Sequence, residues 1–121
     1  MTLAQGQVRL RDIVSRVVID SRKLTHYALD PDNPIGRHKA LVFARRLGFT
    51  RENYTSLLQQ LETHALEAEA YLQHADQHGR HYRVDLEVTG IEGQREIIRT
   101  GWLVAPSSDE ARLVTLYVQR R

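Results

Sequence analysis

Asp30-Pro31-Asp32-Asn33-Pro34-Ile35-Gly36-Arg37-His38-Lys39-Ala40, running on through Phe43 to Leu47-Gly48-Phe49, is the stretch around which the rest of the chain is organised. Pro31 and Pro34 each exclude the preceding residue from the helical region, so residues 30–33 read as extended or turned. Gly36 permits a sharp bend, and a helix follows from about Arg37 to Leu47. Ala40, Phe43, Ala44 and Leu47 recur at i, i+3, i+4 and i+7, which marks the buried stripe. At about 100° per residue, His38 falls nearly opposite that stripe, while Lys39 lies near its edge on the flank of Arg46. A lysine there can lay its stem on the core and aim its ammonium along the seam between helix and neighbour. That is ordinary behaviour for an amphipathic cation. A functional reading draws on composition: the 17 basic residues comprise fifteen arginines and only two lysines, Lys23 and Lys39. Where arginine is the habitual cation, a lysine offers a compact charge that a guanidinium does not.

Upstream, residues 1–7 are polar and read as a flexible tail, and residues 8–15 show no clean period. Arg16-Val17-Val18-Ile19 is a β-branched run, a strand or an extended lead-in. Asp20 can cap a helix over about residues 21–29, with Leu24, Tyr27 and Ala28 on one face and Ile19 stapled to Leu24. Gly48 is a natural left-handed stop for the central helix. Thr50 then caps a second helix, with Phe49 stapled to Tyr54 and a stripe of Tyr54, Leu57, Leu58 and Leu61.

After Ala65 the texture becomes that of strands. Residues 69–77 alternate loosely, His78-Gly79 marks a turn, and Tyr82, Val84, Leu86 and Val88 alternate with polar residues. Glu92-Gly93 makes the next turn. Residues 96–104 are apolar on both faces, as in a central strand, and Leu113 to Val118 is the last strand. The expected fold is α+β, with N-terminal helices packed on one face of an antiparallel meander of about four strands.

A chain of 121 residues makes one domain with a modest core. Its net charge of +2 permits a polyanionic partner without demanding one. The absence of cysteine excludes disulfides, thiolate nucleophiles and cysteine metal cages. No apolar run reaches a membrane span and residues 1–7 hold no signal-peptide core, so a cytoplasmic location is expected.

The run Lys23-Leu24, Tyr27, Leu29, Pro31, Pro34-x-Gly36, Lys39-Ala40, Phe43, Leu47-Gly48-Phe49, followed by Tyr82, Trp102 and Arg112-Leu113-Val114-Thr115, resembles a small bacterial domain family. Its members occur alone and at the C-terminal ends of polymorphic and contact-dependent-inhibition toxins. Toxin modules of this helix-then-sheet layout are similar to the barnase–EndoU–colicin–RelE group of metal-independent ribonucleases. The resemblance therefore implies cleavage of RNA phosphodiesters, RNA as partner, and an immunity or antitoxin protein as a second partner. The chain departs from the family pattern at Asn33, where a histidine often precedes the second proline.

Metal-free RNA cleavage needs a group to take the 2′-hydroxyl proton, a group to protonate the leaving oxygen, and cations for the crowded phosphate. Lys39 and Arg99 can supply charge, His81 can act as acid or base, and Thr115 can donate a hydrogen bond to a phosphate oxygen. Across a hairpin centred near His78-Gly79, His81 should approach Asp76 and Arg83 should approach His74. A two-residue turn at Glu92-Gly93 sets Arg99 opposite Leu86, away from His81; one bulge reverses this, and the sequence leaves the two registers open. No cofactor is expected, and His74 and His78, four apart, flank a turn with no carboxylate completing a ligand set. The competing reading is a non-catalytic protein-binding module, a toxin partner or regulatory adaptor, which fits the modest charge equally well.

Overall fold

The computed structural model describes residues 8–119, so the tail expected over residues 1–7 lies outside the described residues. The elements are β1 (Arg16–Val18), a π-helix (Leu24–Ala28), α1 (Arg37–Leu47), α2 (Tyr54–His64), β2 (Ala70–Asp76), β3 (Gly79–Thr89), β4 (Arg95–Val104) and β5 (Glu110–Val118). The sheet runs β1-β5-β4-β3-β2. Strands β2 to β5 form the expected antiparallel meander. The expectation of about four strands is corrected to five: β1 adds in parallel to the outer edge of β5. Arg16 bridges Glu110 at 2.8 Å, and the Ser15 amide donates to the Asp109 side chain at 3.1 Å, which pins that short strand.

The alternating inner residues Tyr82, Val84, Leu86 and Val88, with Ile98, Trp102 and Val104, join Phe43, Leu47, Leu57 and Leu61 in one buried cluster. Helices thus cover one face of the sheet. The indole N–H of Trp102 donates to Thr100 Oγ1 at 2.7 Å, and that hydroxyl donates to the Val84 carbonyl at 2.6 Å, so the buried polar groups of β4 are satisfied. The other face of β4 departs from expectation. Ile97 is 39% exposed there, so β4 is central by pairing but not buried on both sides.

Helix α1 spans Arg37–Leu47 and stops at Gly48, whose φ of 73° lets its amide bond back to Ala44. The segment expected as a helix over about 21–29 forms, but it widens into π winding, the Leu29 amide donating to Leu24 five residues back at 2.8 Å. Between it and α1, Asn33 holds the turn: its side-chain nitrogen donates to the His26 carbonyl at 2.8 Å, and its oxygen accepts the amides of Ile35 and Gly36. At Gly36 the chain passes so close to the π-helix that a Cβ would lie 2.2 Å from the Tyr27 carbonyl oxygen. That contact fixes where Tyr27 sits relative to α1. Gly36→Ala should therefore cost about 1–3 kcal/mol, read as a lowered urea midpoint with unchanged slope; an unshifted midpoint would show that the turn gives way freely.

Candidate active site

The connection between β3 and β4 is not a two-residue turn. Loop 90–94 pairs Thr89 with Arg95 and hence Asp85 with Arg99, the second of the two open registers. His81, Arg83 and Asp85 consequently share the uncovered face with Arg99 and Gly101. Arg99 grips Asp85 with both ends of its fork, at 3.0 and 3.2 Å, and this pairing holds its guanidinium more firmly protonated than usual.

Two further irregularities decide which side chains reach that face. In β5, Trp102 faces Leu113 while Gly101 faces Thr115, so Val114 is an extra residue. Strict alternation from the buried Leu113 would have turned Thr115 and Tyr117 into the core; the bulge turns them outward and buries Leu116 and Val118 instead. In β2, Leu72 faces Tyr82 while His74 faces His81, so Gln73 is extra and His74 joins the outer face. Between the two bulges lies a groove of about 280 Å³ lined by His74, His81, Arg99, Gly101, Thr115 and Tyr117. Gly101 forms its floor, where a Cβ would come 3.1 Å from the methyl carbon of Thr115.

Strand β1 covers β5 only over residues 110–112, leaving the edge beyond free of a strand partner. Lys39 reaches that edge from α1. Its ammonium donates to Thr115 Oγ1 at 3.0 Å and to the Tyr27 hydroxyl, 4.6 Å from the Tyr27 ring centroid and 5.5 Å from that of Tyr117. Among the described residues no carboxylate lies within ion-pair distance of it. Hydroxyls and π-faces orient this half-buried ammonium without offsetting its charge. Arg99, already neutralised by Asp85, has less to offer.

The expected hairpin is centred one residue earlier, at Gln77-His78, with Gly79 opening β3. His81 meets Asp76 as expected, Nε2 to Oδ2 at 3.1 Å, whereas Arg83 pairs with Tyr71 rather than His74, its guanidinium 4.6 Å over the ring. His74 stacks on His81 instead, with centroids 4.2 Å apart. The His78 amide, first, and His81 hold the Asp76 carboxyl below its ordinary range, so it stays ionised and can only accept. An ionised Asp76 favours the His81 tautomer that donates from Nε2 and leaves Nδ1 as the acceptor. No carboxylate was expected to complete a set with His74 and His78. By bringing His74 to the His81–Asp76 pair, the bulge assembles another set: donor atoms of His74, Asp76 and His81 lie within 4.8 Å of one another, two imidazoles and a carboxylate that suit a zinc-like ion.

Of the residues singled out from sequence, His81, Arg99 and Thr115 line one groove and Lys39 bonds to the third. Tyr27 and Gly101 were missed as site residues, and His74, expected beside Arg83, stands beside His81 instead. Tyr27 was legible only as a core face; Gly101 faces outward through the register set by loop 90–94, and His74 and Tyr117 through the bulges. Burial alone would raise the Tyr27 phenol, but hydrogen bonds from Lys39 and Thr115 with the charges of Lys39 and Lys23 outweigh it, and the pKa falls below the ordinary tyrosine value. A lowered folded pKa means the ionised phenol is favoured by the fold; this contribution is absent at neutral pH, grows as pH rises through the folded pKa, and is complete above the unfolded one. Tyrosinate absorbance should show one of the five tyrosines ionising ahead of the rest. Lys39→Gln should push that step above the ordinary value; an unchanged early step would detach it from the ammonium.

No helix among the described residues is long and apolar enough to cross a membrane. No curated protein matches the chain in sequence. In structure it is similar to a chain of a contact-dependent growth inhibition toxin–immunity protein complex from Klebsiella pneumoniae 342, with TM-score 0.68, 14% identity, and coverage of 86% of this chain and 94% of that one. At that identity the likeness is one of fold. Residues 9–120 match the family described as domain of unknown function (DUF6883). The match spans nearly all of the chain, which therefore belongs to that family.

Proposed function

We propose that the chain is a toxin-like, metal-independent ribonuclease domain whose centre is the groove over Gly101. The observation that carries this reading is the Lys39 ammonium, without a carboxylate partner among the described residues, held by Tyr27 and Thr115 at the rim of a groove whose opposite wall is a carboxylate-oriented imidazole. An RNA phosphate over Gly101 finds Lys39 for its non-bridging oxygens and the Thr115 hydroxyl as a neutral donor. Arg99, kept in place by Asp85, adds a second cation.

In this mechanism Nδ1 of His81 takes the proton from the 2′-hydroxyl as the 2′-oxygen attacks phosphorus. The bond to the 5′-oxygen breaks, and that oxygen receives a proton from the Tyr27 phenol, which its cationic neighbours make more acidic. The products are a 2′,3′-cyclic phosphate and a 5′-hydroxyl, with a proton returned from His81 to Tyr27 through solvent. Asp76 does not exchange protons; it orients the imidazole and stabilises its charged form.

A second reading, the protein-binding module, draws on a separate apolar groove of about 430 Å³ lined by Leu29, Pro31, Ala40, Leu41, Ala44 and Phe49. The structural relative from a toxin–immunity complex is compatible with either role.

Incubation with total RNA in chelator separates the readings. The parent should cleave; Lys39→Ala should lose about 10²–10³-fold and His81→Ala roughly 10²–10⁴-fold. An inert parent overturns the nuclease, and activity lost to chelator would make His81 a metal ligand instead of a proton carrier.

A further inference from the structure

The chain's second lysine, Lys23, is not used by the groove over Gly101, yet both lysines converge on Tyr27. Lys39 is bonded to its hydroxyl, and Lys23 lies near enough to lower its pKa. Lys23 lines a second groove of about 480 Å³ with Asp20, Arg22, His26, Tyr27 and Val114. Within it Asp20 and Arg22 neutralise each other, their closest atoms 2.7 Å apart. Lys23 makes no ion pair among the described residues, so it is the uncompensated cation of this groove. Val114, the bulged residue of β5, lines both grooves and forms the saddle between them. The π winding that begins at Leu24 carries Lys23 and Tyr27 on this side, while Leu24 and Ala28 are buried. Such windings recur at functional sites.

We infer that the second groove is a subsite for the nucleotide next to the cleaved one, with Lys23 binding the flanking phosphate of a single RNA strand that crosses Val114. The inference rests on reading the Gly101 groove as a polynucleotide site. A strand laid along it passes His81 and Arg99, then Thr115 and Lys39, then Val114, and ends against Lys23 and His26. Two compact ammonium groups on either side of one tyrosine supply point charges for successive phosphates. The exposed, apolar Val114 gives a ribose or base an uncharged surface between them.

The test is equilibrium binding of 2′-O-methyl oligonucleotides, which cannot be cleaved, to the full chain over a range of salt. Lys23→Gln should weaken binding of a hexanucleotide severalfold and lower the salt slope by about 0.7, the change expected when one fewer phosphate of a single strand is neutralised. Binding of a dinucleotide, which the Gly101 groove accommodates alone, should be unchanged. Arg45→Gln, an exposed cation of α1 lining neither groove, is the control for net charge. Equal effects of Lys23→Gln and Arg45→Gln overturn the inference, as does hexanucleotide binding indifferent to Lys23 or absent in the parent. Parent binding that depends on Lys23 without RNA cleavage would leave the subsite standing and remove the catalytic reading alone.

Discussion

One extra residue in the last strand governs the chemistry of the outer face. Side chains on a strand alternate strictly, so without the bulge at Val114 the order of β5 would bury a threonine and a tyrosine and expose Leu116 and Val118. With it, apolar residues remain in the core on both sides of the bulge, and Thr115 and Tyr117 emerge together beside the stretch of β5 that β1 does not cover. The bulge costs one irregular pairing, and it creates the rim against which Lys39 rests.

The distribution of charge across that face explains why this ammonium stands apart. Arg99 and Arg83 both lie near Asp85, His81 is tied to Asp76, and Arg22 is closed on Asp20. Each of these charges faces an opposite one, whereas the surroundings of Lys39 are a phenol, an alcohol and two aromatic faces. Those groups orient an ammonium without neutralising it. The arrangement in turn depends on backbone contact far from the sheet: Gly36 lets the turn press against Tyr27, and Asn33 ties both ends of that turn. Asn33 thus has a structural task here.

The hairpin of β2 and β3 uses the same device on the opposite wall. An extra Gln73 brings His74 over His81, and the tight Gln77-His78 connection directs the Asp76 carboxylate onto the imidazole nitrogen. Such a unit can move a proton or hold a metal ion, because both tasks require an imidazole lone pair oriented by a second group. Its position across a glycine floor from Lys39 is what makes the two walls relevant to one ligand.

Periodicity alone determined the helix from Arg37 to Leu47, its stop at Gly48, the alternation of Tyr82 to Val88 and the meander that follows, because burial of one face imposes a period that the residues display. It also placed Lys39 on the flank of its helix, since that angle is fixed once the apolar stripe is known. Parallel addition of β1, the π winding around Tyr27 and the register of β3 against β4 were decided by tertiary contacts that no local pattern encodes. The two bulges belong with them. Gln73 and Val114 look like ordinary strand residues, and only the partner strand's packing reveals which one is surplus; with that single-residue choice goes the face on which His74 and Thr115 stand.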